Sequence, residues 1–463
     1  MAPRLWRRAC GFEILFEALG KPRAFCIALD GSPVFDFRPH AMKLSLSQLG
    51  SRQKPSDITR LMSLAFQRPD MLSLAAGFTD SESLPVNDVR EIVEEISDTE
   101  SEAKASLQYG SNAGRETLRS QLTKRIANSD SVAESAFRTD RLFITNGSQQ
   151  ALYLAVQTLC DPGDSILVEQ PTYFVFLEIL QGLGVTPVPM PMDDEGDVDI
   201  ESLREILKSA AADGSIKKIK AVYLVSYFAN PSGHSISQES KQRLGSLLVE
   251  FDSSIAVLED AAYRELYYEE ACAAKSVLSI DSFSELPILY TSTLTKPYAA
   301  GLKVGYAYCN SVKWRDAMLA VKGQQDFGTA HFAQTIVDRA LISGRFDCHL
   351  TKLRRIYRRK MEILNDCSAS NLKDLGWSWD IPQGGLYLWM QSPNGLPTGS
   401  DEGFHQACLD SGVFYVPGEL CFVDNSRVDY IRASFGVLNE SQLEEAARRF
   451  SKAALSVARP AVT

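Results

Sequence analysis

No stretch of this 463-residue chain is apolar over anything near the length of a membrane span, so no membrane partner is expected. Cysteine occurs nine times without a CxxC pair or a Cys/His cluster. That speaks against a disulfide frame or a zinc site and fits reduced thiols in a reducing, cytoplasmic compartment. The five histidines are isolated, so no His-based metal centre is expected. A basic excess is missing too: 48 Lys and Arg stand against 58 Asp and Glu, a net charge of −10. A nucleic-acid partner would call for a basic face. There is no internal repeat and no low-complexity tract.

What is present is enough chain for a large core split over two domains. Between Arg141 and Tyr308, short β-rich runs alternate with helical stretches: RLFIT, SILVE, VTPVPM, KAVYLVSYF, SSIAVLE, LPILYTS and KVGYAY. Most are continuously apolar, as strands covered on both faces are. The alternation predicts an α/β fold with a mainly parallel sheet, whose sites lie beyond the carboxyl ends of the strands. After residue 345 a charged helix, short strands and a final amphipathic helix with a Glu-rich first turn predict a smaller α+β domain. The first residues, MAPRLWRRACGF, carry three arginines and no acid. They read as an extension over 1–41, with Met42 as a natural start and organelle targeting as the alternative.

The stretch YTSTLTKPYAAGLKVGY sets Lys296 among Ser292, Thr293 and Thr295, with Lys303 seven positions on. A solvated surface lysine in a hydroxyl-rich loop is the plainer alternative. The sharper one is a lysine that condenses with a carbonyl cofactor while hydroxyls and a second cation hold an anionic group. Four other strand ends bear on the choice. ITNGSQQAL puts Asn146, Ser148 and Gln149 at a strand-to-helix junction, an anion site or simple N-capping. EQPTYFVF puts Tyr173 after a strand, as a ring platform or as core. SYFANPSG puts Asn230 where an amide can donate to a phenolate, or merely in a turn. AVLEDAAY ends a buried strand on Asp260, with Tyr263 close behind. A buried carboxylate needs a partner, and a protonated pyridine nitrogen is one; a helix cap is the alternative.

The combination NGSQQAL, NPSG, EDAAY, the lysine with Lys303 seven later, and YIRASF resembles the pyridoxal-phosphate aminotransferases of fold type I, class I/II, in the kynurenine/2-aminoadipate aminotransferase-like branch, over residues 43 to 456. The resemblance implies pyridoxal 5′-phosphate as cofactor, held on Lys296. It implies Ser148, Gln149, Thr293, Thr295 and Lys303 around the phosphate. Tyr173 would stack on the ring, Asn230 and Tyr263 would meet the ring oxygen, and Asp260 the ring nitrogen. Arg432 would clamp the substrate α-carboxylate, and Gly77 would line the substrate pocket. Tyr109 would reach the phosphate of a partner subunit, which implies a homodimer with shared active sites. The implied organisation is an N-terminal segment 42–85 contributing to the small domain and active site, a large cofactor domain 86–344 with a seven-stranded sheet, and a small domain 345–463. Three departures stand out: threonines at 293 and 295 where the family has serines, Lys303 where it has arginine, and Pro297 after the lysine. Lys303 keeps the charge and loses the bidentate fork.

The implied reaction moves an amino group from an α-amino acid to a 2-oxo acid, 2-oxoglutarate or pyruvate, in a ping-pong cycle. A β-lyase, a decarboxylase or an aminocyclopropane-carboxylate synthase uses the same scaffold, since fold does not fix reaction. A cofactor-sensing transcriptional regulator is the non-enzymatic rival; it would need a basic helix-turn-helix ahead of the core, and residues 1–55 lack that pattern. The sequence does not name the amino donor. Arg432 reads only the α-carboxylate, and the side-chain pocket is built from loops that include the segment near Arg60.

Overall fold

The computed structural model describes residues 44–55, 68, 70–393, 395–424 and 427–458, with the backbone of strands Glu13–Ile14 and Cys26–Ile27. Met42 and Arg60 lie outside the described residues. The chain forms two compact units, Met1–Ser51 and Arg52–Thr463. In the first, Glu13–Ile14 pairs antiparallel with Cys26–Ile27.

The second unit is organised by a seven-stranded sheet of β1 (Leu142–Asn146), β2 (Ser165–Glu169), β3 (Thr186–Met190), β4 (Ile219–Val225), β5 (Ala256–Asp260), β6 (Ile288–Thr293) and β7 (Val304–Cys309). Their order is β1-β7-β6-β5-β4-β2-β3. Only β7 runs against its neighbours. The seven apolar runs of the sequence are these strands.

Apolarity in the central strands has a plain cause: helices cover both faces, whereas the edge strand β3 is partly exposed. Side chains alternate between the two faces. Ile166, Val168, Tyr223 and Leu258 join one core cluster with Leu152 and Ala155 of α1 (Gly147–Leu159) and Phe176 and Leu180 of α2 (Phe174–Leu183). Leu167, Val222, Leu224 and Val257 join another with Leu244 and Leu248 of α3 (Gln238–Phe251). A Leu→Ala change at such a site costs about 2–5 kcal/mol.

Parallel strands send their carboxyl ends to one edge. The antiparallel β7 brings its amino end there, pairing Val304 with Asn146 and Gly305 with Thr293. So Lys303, immediately before β7, arrives beside residues that close β1 and β6. Gly305 permits the approach: a Cβ there would lie 2.3 Å from the carbonyl carbon of Gly147.

Beyond α4 (Val312–Gln325), α5 (His331–Ile342) and the 28-residue α6 (Arg345–Leu372), a three-stranded antiparallel sheet follows. Its strands are β8 (Tyr387–Gln391), β9 (Val416–Pro417) and β10 (Tyr430–Ser434), in the order β8-β10-β9. Helix α7 (Glu440–Ala458) closes the chain. Residues 72–80 cross onto this part. Leu72–Ser73 pairs with Val413–Phe414, and Lys360 of α6 makes a buried ion pair with Asp80 at 3.0 Å. That crossing brings Ala75 and Gly77 to the carboxyl edge of the large sheet.

Candidate active site

At that edge lies a cavity of about 140 Å³. Ten of the candidate cofactor-binding residues line it. Ser148 and Gln149 come from the start of α1, Tyr173 from the loop after β2, and Asn230 from the loop after β4. Asp260 and Tyr263 follow from β5, and Thr293, Thr295, Lys296 and Lys303 from the β6–β7 connection. Clefts of about 420, 450 and 1130 Å³ open elsewhere. None of them gathers a buried lysine, an unpaired buried carboxylate and a helix N-terminus.

The cavity's anionic subsite is built first. Gly147 takes a left-handed φ of 70°, a turn that glycine makes without strain. Helix α1 starts there with no side-chain cap, which rules out the simple N-capping alternative. Its first-turn N–H groups carry the positive end of the helix dipole. Facing it, the hydroxyls of Thr293 and Thr295 lie 2.9 Å apart. Lys303 itself holds a left-handed φ of 56°. Backbone amides, hydroxyls and one cation converge, a donor set suited to phosphate.

At the opposite polarity stands Asp260, 4% exposed. Its oxygens accept from the Tyr223 hydroxyl at 3.1 Å and the Ala262 N–H at 3.1 Å. It forms no ion pair among the described residues. Burial raises its carboxyl from 3.8 to about 6, with both hydrogen bonds working against the rise. Glu169, behind it, is pushed by burial to about 8 and accepts the Val225 N–H at 3.0 Å. Burial thus disfavours charge on Glu169 more than on Asp260, which is the readier of the two to ionise.

Lys296 donates from Nζ to the Gly77 carbonyl. Burial, then Arg432 and Lys303, push its amine down to about 8, so a fraction is uncharged at neutral pH. Arg432, in β10 and 2% exposed, donates to Asn230 Oδ1 at 2.8 Å and to the Ala75 carbonyl at 2.7 Å. Its Nε is buried without a partner. Its guanidinium lies 4.3 Å over the Tyr387 ring. Gly77 comes close as well: a Cβ on it would sit 2.7 Å from the Tyr387 hydroxyl. Tyr263 and Tyr387 share a 2.8 Å hydrogen bond, and burial keeps the Tyr263 phenol protonated.

One singled-out residue lies apart from this constellation. Tyr109 is 80% exposed and meets Phe327 edge-on at 5.8 Å. Three residues went unread: Tyr223, Tyr387 and Asp326. The tyrosines sit in strands whose apolar pattern reads as core, and Asp326 carries no sequence signal beyond a charge after a helix. Among the described residues no group of His, Cys, Asp and Glu has the arrangement to hold a metal ion, and no helix is long and apolar enough to cross a membrane.

Residues 69–450 match the family model described as Aminotransferase class I and II. The chain is 29% identical over 422 residues to the aromatic-amino-acid aminotransferase 1 of Thermococcus litoralis, covering 91% of this chain and 95% of that one. Among solved structures it is similar to the kynurenine aminotransferase of Pyrococcus horikoshii, at 27% identity and a TM-score of 0.80, covering 90% of this chain and 98% of the other. It is also similar to LysN, the alpha-aminoadipate aminotransferase of Thermus thermophilus, solved with N-(5′-phosphopyridoxyl)-L-leucine. There the identity is 27% and the TM-score 0.76, over 89% of this chain and 99% of the other.

Proposed function

We propose that this chain, which belongs to the class I and II aminotransferases and depends on pyridoxal 5′-phosphate, holds that cofactor in the cavity at the carboxyl edge of the sheet and transfers amino groups there between an α-amino acid and a 2-oxo acid. One observation carries the assignment. A buried lysine with its amine near pH 8, an unpaired buried carboxylate and an uncapped helix N-terminus share one small cavity.

The residues present fit the cofactor. The first-turn amides of α1 with Ser148 and Gln149, the hydroxyls of Thr293 and Thr295, and Lys303 would hold its phosphate. Lys303 acts as a point charge without arginine's fork. Asp260 lacks a cation, and a protonated ring nitrogen supplies one. Tyr223 and the Ala262 N–H fix both Asp260 oxygens toward that task. Tyr173 offers a ring face. Asn230 has its oxygen committed to Arg432, an obligatory donor, so its amide protons remain for the ring oxygen alongside Tyr263. Once bound, the cofactor supplies an aldehyde that condenses with amines and a ring that accepts the electron pair released at the substrate α-carbon.

Lys296 would hold the cofactor and, as a free amine, would take and return the proton at the substrate α-carbon. An amine near pH 8 is matched to that traffic at neutral pH. Arg432 binds the α-carboxylate, for which its unpartnered Nε and its buried, otherwise uncompensated charge are suited. Gly77 has no side chain to displace the Tyr387 hydroxyl, and its carbonyl accepts from Lys296. Tyr109, exposed and outside its own chain's cavity, is offered to the phosphate site of a second copy in a C2 homodimer.

The test is a half-reaction. Holoenzyme mixed with an α-amino acid and no acceptor should release one equivalent of 2-oxo acid per active site, and 2-oxoglutarate or pyruvate should then be converted to an amino acid. Release of carbon dioxide or ammonia instead assigns the chain to the decarboxylase or β-lyase chemistry of the same scaffold.

A further inference from the structure

The helix end that faces the cavity is tied down by a carboxylate outside it. Asp326 is the C-cap of α4, where the helix dipole disfavours a negative charge. It nonetheless gathers four donor groups: Asn146 Nδ2 at 2.9 Å, Gln150 Nε2 at 3.0 Å, Gly328 N–H at 2.9 Å, and Lys322 Nζ at 3.0 and 3.1 Å on its two oxygens. The Lys322 side chain is fully buried. Burial opposes the charge on Asp326, but the bonds from Gln150, Gly328 and Lys322 hold its carboxyl below the usual range.

Asparagine is among the best N-cap residues because its side-chain oxygen takes a first-turn amide. At α1 that bond is not made. Gln150, one position beyond the N3 place of a capping box, makes the bond that half of such a box would make: its Oε1 accepts the Asn146 backbone N–H at 2.9 Å. The reciprocal half is missing: the Asn146 amide is held by Nδ2 on Asp326, and its Oδ1, the atom a cap would use, accepts no first-turn N–H. The missing half is the one that would consume an amide at the end of α1 facing the cavity.

We infer that Asp326 is a positioning residue of the phosphate site: by tethering the Asn146 side chain it keeps the first-turn amides of α1 free for the anion. This rests on the reading above that the helix end holds the cofactor phosphate. Lys322 balances the charge of the tether, so that Asp326 does not itself repel the phosphate.

The readout is the ratio of dissociation constants for pyridoxal and pyridoxal 5′-phosphate, from fluorescence titration of the full-length apoprotein. The internal hemiacetal of free pyridoxal contributes the same factor for every variant, so the change in the ratio between variants isolates the phosphate. Asp326→Ala is made together with Lys322→Met, so that no buried lysine is left unpaired. The ratio should fall about five-fold, the factor one N-cap bond is worth. Adding Asn146→Ala, which removes the competing cap, should restore it, and Ser148→Ala should lower it. A ratio unchanged in the double variant while Ser148→Ala lowers it overturns the role of Asp326. A fall that Asn146→Ala does not reverse is a packing effect and overturns it also. A ratio that neither Ser148→Ala nor the double variant moves removes the helix-end reading and, with it, this inference.

Discussion

Replacing Tyr223 by phenylalanine removes one hydroxyl and keeps the ring, which stacks on Phe176 with centroids 3.9 Å apart. The lost group is the donor to Asp260 Oδ2. In the cofactor-free protein, burial has already raised Asp260 from 3.8 to about 6. At about 1.4 kcal/mol per pH unit, ionised Asp260 therefore costs the fold about 3 kcal/mol. For a raised carboxyl the sign is fixed: the folded state suffers no penalty below the unfolded pKa, and the penalty grows as pH rises from there to the folded pKa, above which it is fully present. A hydrogen bond to a charged group contributes about 1.5–3 kcal/mol and one to a neutral group about 1 kcal/mol. Tyr223→Phe should thus lower the stability of the apoprotein by about 1 kcal/mol near pH 4 and by about 1.5–3 kcal/mol at pH 8. Urea denaturation of both proteins across that range measures it. Addition of the cofactor, whose protonated ring would pair with the carboxylate under the proposed function, should close most of the gap at pH 8. A loss equal at both pH values, or untouched by cofactor, would refute the view that the hydroxyl supports a charged Asp260.

Borohydride reduction of the holoenzyme should fix the cofactor on Lys296, and peptide mapping that finds the label on Lys303 or Lys275 would sink the assignment; Lys296→Ala should lose turnover by roughly 10²–10⁴-fold, the span of a positioned proton-transfer group. Lys303→Ala should weaken cofactor binding measurably by fluorescence titration, whereas Lys303→Arg, which restores a fork, should equal or exceed the native affinity. Arg432→Ala should raise KM for α-amino acids strongly while sparing simple amines; equal loss on both would show that Arg432 does not read the carboxylate. Gly305→Ala should lower both stability and cofactor affinity, because its Cβ would lie 2.3 Å from Gly147. Thermal melting and the same titration check it.

The local chemistry of this protein is written in its sequence. The central apolar runs specify strands because a strand covered on both faces must be largely apolar. The segments NGSQQAL, NPSG, EDAAY and the lysine segment each carry a residue type whose burial needs a partner, so the cavity's own lining was legible one strand end at a time. Long-range proximity was not. Lys303 reaches the start of α1 only because β7 runs antiparallel between β1 and β6. Arg432 meets Asn230 from 202 positions away because the small sheet folds back over the large one. Tyr223 and Tyr387 look like core tyrosines in any one-dimensional pattern; what separates them is where their hydroxyls end, on Asp260 and on Tyr263. The same holds for Asp326. A carboxylate after a helix has no meaning of its own, and only the packing of α4 beside α1 sets it against Asn146 and decides which amides of the helix end remain free.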